Sequence, residues 1–408
     1  MFKIIIVLKF IQNKIIFSCN KHISMKKQIE RFSVCICGLF LIFFSKNAAA
    51  QTIDSIPPAN QHQFLMHSKA IKEDRTIWIH TPPEYSASTD TYPVLYLLDG
   101  GSHFKYVSEM VDFLSDFEKN FISKMIVVAI PNTERGRDFT PQFDSKENGA
   151  ENFLTFIKDE LVPYIDKNYR TQPYRILEAH SLGGLFGIYA NEKAPELFQA
   201  SIFISPALTG DQNRDKVMEE YALYLKKNKQ LLRKIFVSIA NEDKQAVDLL
   251  TKQLKMFASK SFQWNYKEYK EENHFSVPYK SMYDGLRFIY KNWHTEAFLN
   301  SDKILYKDIE EHFKKLSGEF GYNINPTEDF INQLGYQQLR FKHIDEAIEF
   351  FKQNIKLHPN SFNVYDSMAE AYMINGQKSL AIENYEKSIL INPKNENGKE
   401  MIKKLKSE

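Results

Sequence analysis

Arg175-Ile176-Leu177-Glu178-Ala179-His180-Ser181-Leu182-Gly183-Gly184-Leu185 reads as a buried strand that runs straight into a small-residue turn and then an amphipathic helix. A serine hydroxyl is a weak nucleophile at neutral pH. A sharp strand-to-helix turn presents its oxygen to a base, and the crowded backbone admits only tiny side chains two positions to either side. Those positions are Ala179 and Gly183. Alanine stands where the first glycine is usual and adds one methyl group. The pattern is that of a nucleophile elbow around Ser181; the plainer alternative is a strand-to-helix turn with a capping serine.

The surrounding chain supplies the sheet such an elbow needs. A hairpin is expected over His62 to Ser68 and Arg75 to His80, closed by Pro82-Pro83. Apolar runs follow at Val94 to Leu98, Met125 to Ile130, Tyr174 to Leu177, Ser201 to Ile204 and Ile235 to Ile239. Each is too short for a helix and is bounded by turn residues, as strands buried on both faces are. Between them, Phe104, Val107, Val111, Leu114 and Phe117 recur at helical spacing, as do Phe153, Phe156, Ile157 and Leu161. With a last helix from Val277 to Trp293, the alternation predicts a doubly wound, mostly parallel α/β sheet of about eight strands, ending near residue 295.

A serine of this kind needs a base and a carboxylate, in the chain order serine, acid, histidine. Asn241, Glu242 and Asp243 follow the strand ending at Ala240, and Glu271-Glu272-Asn273-His274-Phe275 follows the aromatic strand Phe262 to Tyr269. His274 is therefore the candidate base, with Glu242 preferred to Asp243 as the acid. The oxyanion needs two backbone donors. The Leu182 amide is one, and the Gly101 or Ser102 amide of Asp99-Gly100-Gly101-Ser102-His103 is the other. Arg135 and Arg137, after the fourth strand, are candidates for binding an anionic substrate; a structural ion pair in the Arg137-Asp138 region is the alternative.

Composition limits the partners. The 408 residues carry 53 Lys plus Arg against 51 Asp plus Glu, so the net charge of +2 gives no reason to invoke nucleic acid or an anionic membrane. All three cysteines, Cys19, Cys35 and Cys37, precede residue 40, which removes cysteine nucleophiles and cysteine metal sites from the rest. Met25-Lys26-Lys27, the apolar stretch Val34 to Phe44 and Ala48-Ala49-Ala50 read as a secretory signal over residues 1–50, with Met25 as an alternative start. The apolar stretch falls short of the roughly 20 residues a membrane span needs. A mature chain without a span, exported to the periplasm or secreted, is expected.

Beyond residue 295 the pattern changes. Ala347 and Ala381, Phe351 and Tyr385, and Pro359 and Pro393 are each 34 residues apart, the tetratricopeptide period. The expected organisation is an α/β domain over 51–295, a helical linker over 296–326 and tetratricopeptide-like repeats over 327–408. The repeats should dock on Lys303 to Ser317 and offer a surface to a protein partner.

Residues 60 to 295 resemble the esterases grouped with esterase D, enterochelin esterase and the ferri-siderophore trilactone hydrolases. The resemblance rests on Arg75-Thr76-Ile77-Trp78-Ile79, Val94-Leu95-Tyr96-Leu97-Leu98-Asp99-Gly100, Asn132 with Arg135, Arg137-Asp138, Glu160 to Ile165, His180-Ser181-Leu182-Gly183-Gly184 and Asn273-His274. It implies an α/β-hydrolase fold and a triad of Ser181, His274 and Glu242 or Asp243. The expected activity is that of an exported serine carboxylester hydrolase acting on a siderophore-type or plant-wall ester, without metal or cofactor. An acyltransferase of the same fold and a scaffold acting through its repeats are the alternatives.

Overall fold

The computed structural model describes residues 60–116, 120–143 and 148–407. The expected signal segment, the Met25 start and Phe117 lie outside these residues.

Eight strands form one sheet: β1 (Gln61–Ser68), β2 (Glu73–His80), β3 (Tyr92–Leu97), β4 (Ile126–Ala129), β5 (Thr171–His180), β6 (Ala200–Ile204), β7 (Arg233–Ala240) and β8 (Phe262–Tyr269). Their spatial order is β1-β2-β4-β3-β5-β6-β7-β8, with β1, β2 and β4 paired antiparallel and the remaining pairs parallel. This is the mostly parallel, doubly wound sheet that the alternation of apolar runs predicts. β3, β5, β6 and β7 begin before those runs, and β5 and β7 also end after them, whereas β4 is shorter than its run at both ends. In β5, Thr171 to Pro173 and Glu178 to His180 extend the strand beyond its apolar centre.

The β3 strand shows why the runs are continuously apolar. Val94, Tyr96 and Leu98 enter one core layer and Leu95 and Leu97 the other, so neither face meets water. Helices α1 (Gly100–Ser115) and α8 (Val277–Ile289) cover the second face. The first face is covered by α2 (Arg135–Phe139), α3 (Gly149–Thr155) with a π-helical turn Phe156–Leu161 and α4 (Val162–Asn168), then α5 (Leu182–Lys193), α6 (Gln212–Lys227) and α7 (Gln245–Phe257). Because β4 lies on one side of β3 and β5 on the other, the chain reverses its direction of travel across the sheet at β3. The crevice at the carboxyl ends of β3 and β5 is where ligands bind in such sheets.

Short helix α9 (Glu296–Leu299) and helix α10 (Tyr306–Phe320) lead to two helical pairs, α11 (Glu328–Arg340) with α12 (Ile344–Leu357) and α13 (Phe362–Ile374) with α14 (Lys378–Ile391), and a last helix α15 (Glu396–Ser407). Ala347, Ala381, Phe351 and Tyr385 are buried where paired helices approach. Gly335 allows that approach, since a Cβ there would lie 2.5 Å from the Phe351 ring. Pro359 and Pro393 follow the last residues of α12 and α14, where a missing amide ends the helix.

The second core layer does not stop at the end of α8. It continues through Ile309, Phe313, Leu316 and Phe320 of α10 into Phe330, Leu334 and Phe350 of the first helical pair. Phe320 is the keystone: its ring stacks on Tyr290 at 5.0 Å and 19°, meets Tyr174 edge-on at 4.8 Å, and lies under the Lys234 ammonium at 4.2 Å. Lys234 is buried beside Glu319, and its burial pulls the ammonium below its ordinary range despite that carboxylate. Phe320→Ala should therefore cost about 3–5 kcal/mol. Helical pairs and sheet should then melt together at a lower temperature in a single calorimetric transition; two separate transitions would contradict the shared core.

Candidate active site

Strand β5 ends at His180, and Ser181 turns the chain with φ 57° and ψ −120°. An L-residue held there stores of order 1–3 kcal/mol of strain. Ser181 N–H donates to the Ile204 carbonyl at 2.9 Å, and the Ser181 carbonyl accepts from Gly184 at 2.9 Å and Ala207 at 3.0 Å. These bonds fasten the turn to β6 and to the first turn of α5. The Ser181 side chain makes no capping hydrogen bond to α5. Ala179 is fully buried without displacing the turn. The tight glycine is not Gly183, whose Cβ would find ordinary contacts at 3.5 Å, but Gly184, whose Cβ would lie 2.5 Å from Pro206 Cβ.

His274 Nδ1 and Glu242 Oε2 are 2.8 Å apart, with the two side chains 30% and 29% exposed. The loops carrying them are tied together, as Asn241 N–H donates to the Glu272 carbonyl at 2.9 Å. The Asn273 side chain accepts from the Phe275 and Ser276 amides and fixes the turn ahead of α8. The imidazole of His274 packs on the ring of His180, with centroids 4.7 Å apart, which places it against the elbow. Asp243 is elsewhere employed: its Oδ1 accepts the Gln245 amide at 3.0 Å where α7 begins.

The glycine-rich stretch after β3 is already helix. Asp99 adopts a left-handed conformation, φ 52°, and α1 starts at Gly100. The Gly100 amide donates to the Ile130 carbonyl and the Ser102 amide to the Asp99 carbonyl, which leaves Gly101, where an added Cβ would meet nothing within 4 Å, as the candidate donor of this turn. Leu182 is the first residue of α5, where the first amides of a helix have no partner within it.

Both candidate arginines are committed to internal carboxylates. Arg135 grips Asp99 with Nε at 2.6 Å and Nη2 at 2.9 Å, and Nη2 also reaches the His180 carbonyl at 3.2 Å. Burial raises the Asp99 carboxyl, but Arg135 and Asn132 outweigh it and hold it below its ordinary range. Arg135 thus ties the turn after β3 to the elbow. Arg137 pairs with Glu73 and Asp138, in a network with the fully buried Arg75, so its position is that of the structural ion pair. The Arg137 bond holds the Glu73 carboxyl down to about 2, against the opposing effect of burial.

Beneath the elbow lie two residues that the pattern of apolar runs does not single out as functional. Glu178, fully buried on β5, pairs through Oε1 with His103 Nδ1 of α1 at 3.1 Å. Their sequence separation of 75 residues leaves no local signal for the pair; the only clue is an acid inside a strand buried on both faces.

Comparisons with known proteins bear on the family and the fold. The family model described as "Putative esterase" matches residues 68–294, more than half of the chain, with β2 to β8, the elbow and both loops inside the match. The chain belongs to this esterase family. A tetratricopeptide repeat model matches residues 362–395, the span of α13 and α14. Among relatives, the ferri-bacillibactin esterase BesA of Bacillus subtilis is 30% identical over 192 residues, 42% of this chain and 60% of that protein. The chain thus spans about 60% of the length of that curated relative. An IroE-like serine hydrolase from Shewanella oneidensis superposes with a TM-score of 0.63 at 27% identity, over 73% of this chain and 99% of its own. An uncharacterised protein from Capnocytophaga ochracea, 16% identical, shares the fold with a TM-score of 0.61 over 85% of this chain and 100% of its own. Among the described residues no helix is long and apolar enough to cross a membrane.

The two glycines after the elbow serine separate cleanly. Gly184→Ala drives a methyl group into the rigid Pro206 ring and should destabilise by about 1–3 kcal/mol. Gly183→Ala should melt close to the parent protein. Thermal unfolding of both checks the assignment, and a Gly183 variant that melts lower than the Gly184 variant would refute it.

Proposed function

We propose that the protein is an exported serine carboxylester hydrolase in which Ser181, His274 and Glu242 form the catalytic triad. The observation that carries this reading is the hydrogen bond between His274 Nδ1 and Glu242 Oε2, 2.8 Å long, on a ring packed against the elbow. An ionised carboxylate only accepts, so Nδ1 carries the proton and Nε2 keeps its lone pair. That is the tautomer a general base requires.

In the proposed reaction the Ser181 oxygen attacks the ester carbonyl as its proton passes to His274 Nε2. The resulting oxyanion is held by the Leu182 and Gly101 amides, the first at the amino end of α5, where the helix dipole favours negative charge. Collapse of the intermediate breaks the bond to the alcohol, which leaves with the proton from His274. Water then repeats the sequence on the acyl-enzyme, releasing the acid and restoring Ser181. The chemistry asks nothing of a metal or cofactor.

The name of the Bacillus subtilis relative makes a siderophore ester the first substrate to test, with plant-wall esters second. Export rests on the basic, apolar and small-residue segments before Gln51. A tetratricopeptide match suggests that the helical pairs engage a protein.

A fluorophosphonate probe should label the mature protein at Ser181, and Ser181→Ala should lose both labelling and roughly 10⁶-fold in kcat. Persistent labelling of that variant would remove Ser181 from the mechanism. Glu242→Gln should lower kcat by roughly 10²–10⁴-fold, because the amide can donate to the ring and favour the wrong tautomer. Asp243→Asn should leave kcat within about threefold, since its carboxylate caps a turn whose bond the amide oxygen reproduces. Steady-state kinetics on an ester panel that included a trilactone would rank the two, and a reversed order would transfer the role to Asp243.

A further inference from the structure

Three imidazoles stand in a row through the elbow. The His274 ring lies 4.7 Å from His180, tilted by 40°, and His180 lies 5.7 Å from His103, tilted by 45°. The row ends in a carboxylate on each side: Glu242 on His274 at the surface, and Glu178 on His103 in the interior. His180 itself is 8% exposed, and its Nε2 has no hydrogen-bond partner among the described residues. A residue whose only part was to space the strand from the serine would not need an imidazole buried between two others.

We propose that His180 is a positioning residue for the base, giving His274 an uncharged ring to rest on, and that the buried Glu178 and His103 pair keeps that ring in place and uncharged. The inference rests on His274 being the base, as proposed above. An exposed hydrogen bond to Glu242 fixes one edge of the His274 ring and leaves it free to rock about that bond. The His180 face removes that freedom, and Phe275 adds an edge-on contact at 5.5 Å.

Charge matters as much as shape. When His274 takes the proton of Ser181, a second imidazolium 4.7 Å away would oppose it. Burial drives His180 down to about 4, and the charges of His103 and His274 push it the same way. Asp99, just ahead of α1, and a hydrogen bond to the His274 backbone pull in the other direction without overcoming burial, and the Asp99 carboxylate is paired with Arg135, which also holds the His180 carbonyl. His103 remains above the ordinary imidazole range, because Glu178 and Asp99 outweigh the effect of its own burial. Burial in turn raises Glu178, which His103 offsets only in part. His103 is therefore the more readily charged of the two buried rings, next to His180.

The test uses the full mature chain. His180→Phe keeps a flat, uncharged ring and should retain most of the parent kcat, whereas His180→Ala should lose on the order of a hundredfold in kcat with little change in KM. A His180→Ala enzyme as fast as the parent, or a His180→Phe enzyme as slow as His180→Ala, overturns the inference. Glu178→Gln removes the counter-charge of His103, which then gives up its proton at lower pH than in the parent. His180 should consequently titrate at higher pH, and the acid limb of kcat/KM should move upward by several tenths of a pH unit. Nitrogen-15 NMR of the imidazoles, assigned by substitution, reads this without any substrate. His180 titrating in the ordinary histidine range in the parent protein, or unmoved in Glu178→Gln, overturns the inference whether or not esters are turned over. Parent protein that is inert to every ester and to the fluorophosphonate probe would retire the esterase reading instead, and the NMR result would still decide the state of His180.

Discussion

The backbone of Ser181, at φ 57° and ψ −120°, occupies a region that an L-residue enters only when its surroundings compel it, and the sheet supplies that compulsion from three directions. Strand β6 takes its amide through Ile204, the loop after β6 and the first turn of α5 take its carbonyl, and Arg135 holds the carbonyl of the preceding His180. Because Arg135 simultaneously grips Asp99, the strained turn after β5 and the left-handed turn after β3 are one mechanical unit. The turns that carry Leu182 and Gly101 are therefore set relative to one another by the pairing of β3 with β5 and by this guanidinium. An arginine paired with a buried carboxylate in this way already spends its bidentate face on the geometry of the edge.

Much of this was legible in the sequence, and the reason is that the legible parts are local. Strands buried on both faces must be short apolar runs, and the run from Arg175 to His180 betrays its end because a small-residue turn follows at once. The placement of His274 beside the elbow was legible because it is the histidine between a late strand and the last helix of the sheet, a matter of order along the chain. The unread parts are set by contacts between distant segments. Whether Gly183 or Gly184 is the tight glycine depends on where Pro206 lies, which no pattern around the elbow can state. The use of Arg135 is fixed by Asp99, 36 residues earlier, and the partner of Glu178 is 75 residues away on another element. Glu242 and Asp243 are adjacent and chemically alike; only the direction in which α7 leaves the loop turns one to the imidazole and the other to the Gln245 amide.

The helical extension shares this dependence on distant contacts. Its period of 34 announces repeats, but the period says nothing about what the first repeat leans on. The answer is the second core layer of the sheet, reached through Phe320, Tyr290 and Tyr174. A pair of repeats buries too little apolar surface to stand alone, and here the missing surface is provided by the α/β domain. The active-site crevice lies at the carboxyl ends of the strands and this junction at the amino ends of β5 and β7, marked by Tyr174 and Lys234. The extension therefore holds the sheet from below and leaves the crevice edge to its own loops.

Those loops have an energetic problem that the histidine row answers. An ion pair or hydrogen bond between side chains about 30% exposed contributes little net stability, commonly about 0–1 kcal/mol, because water competes for both partners. The Glu242 bond can select the tautomer of His274 but is too weak by itself to hold the ring within the small displacement that proton transfer tolerates. Packing has no such competitor. A ring seated on the buried His180 keeps its contacts whatever water does at the other edge, and the strand beneath His180 is the same strand whose end places Ser181. In the proposed mechanism, base and nucleophile would thereby be referred to one rigid element, the end of β5.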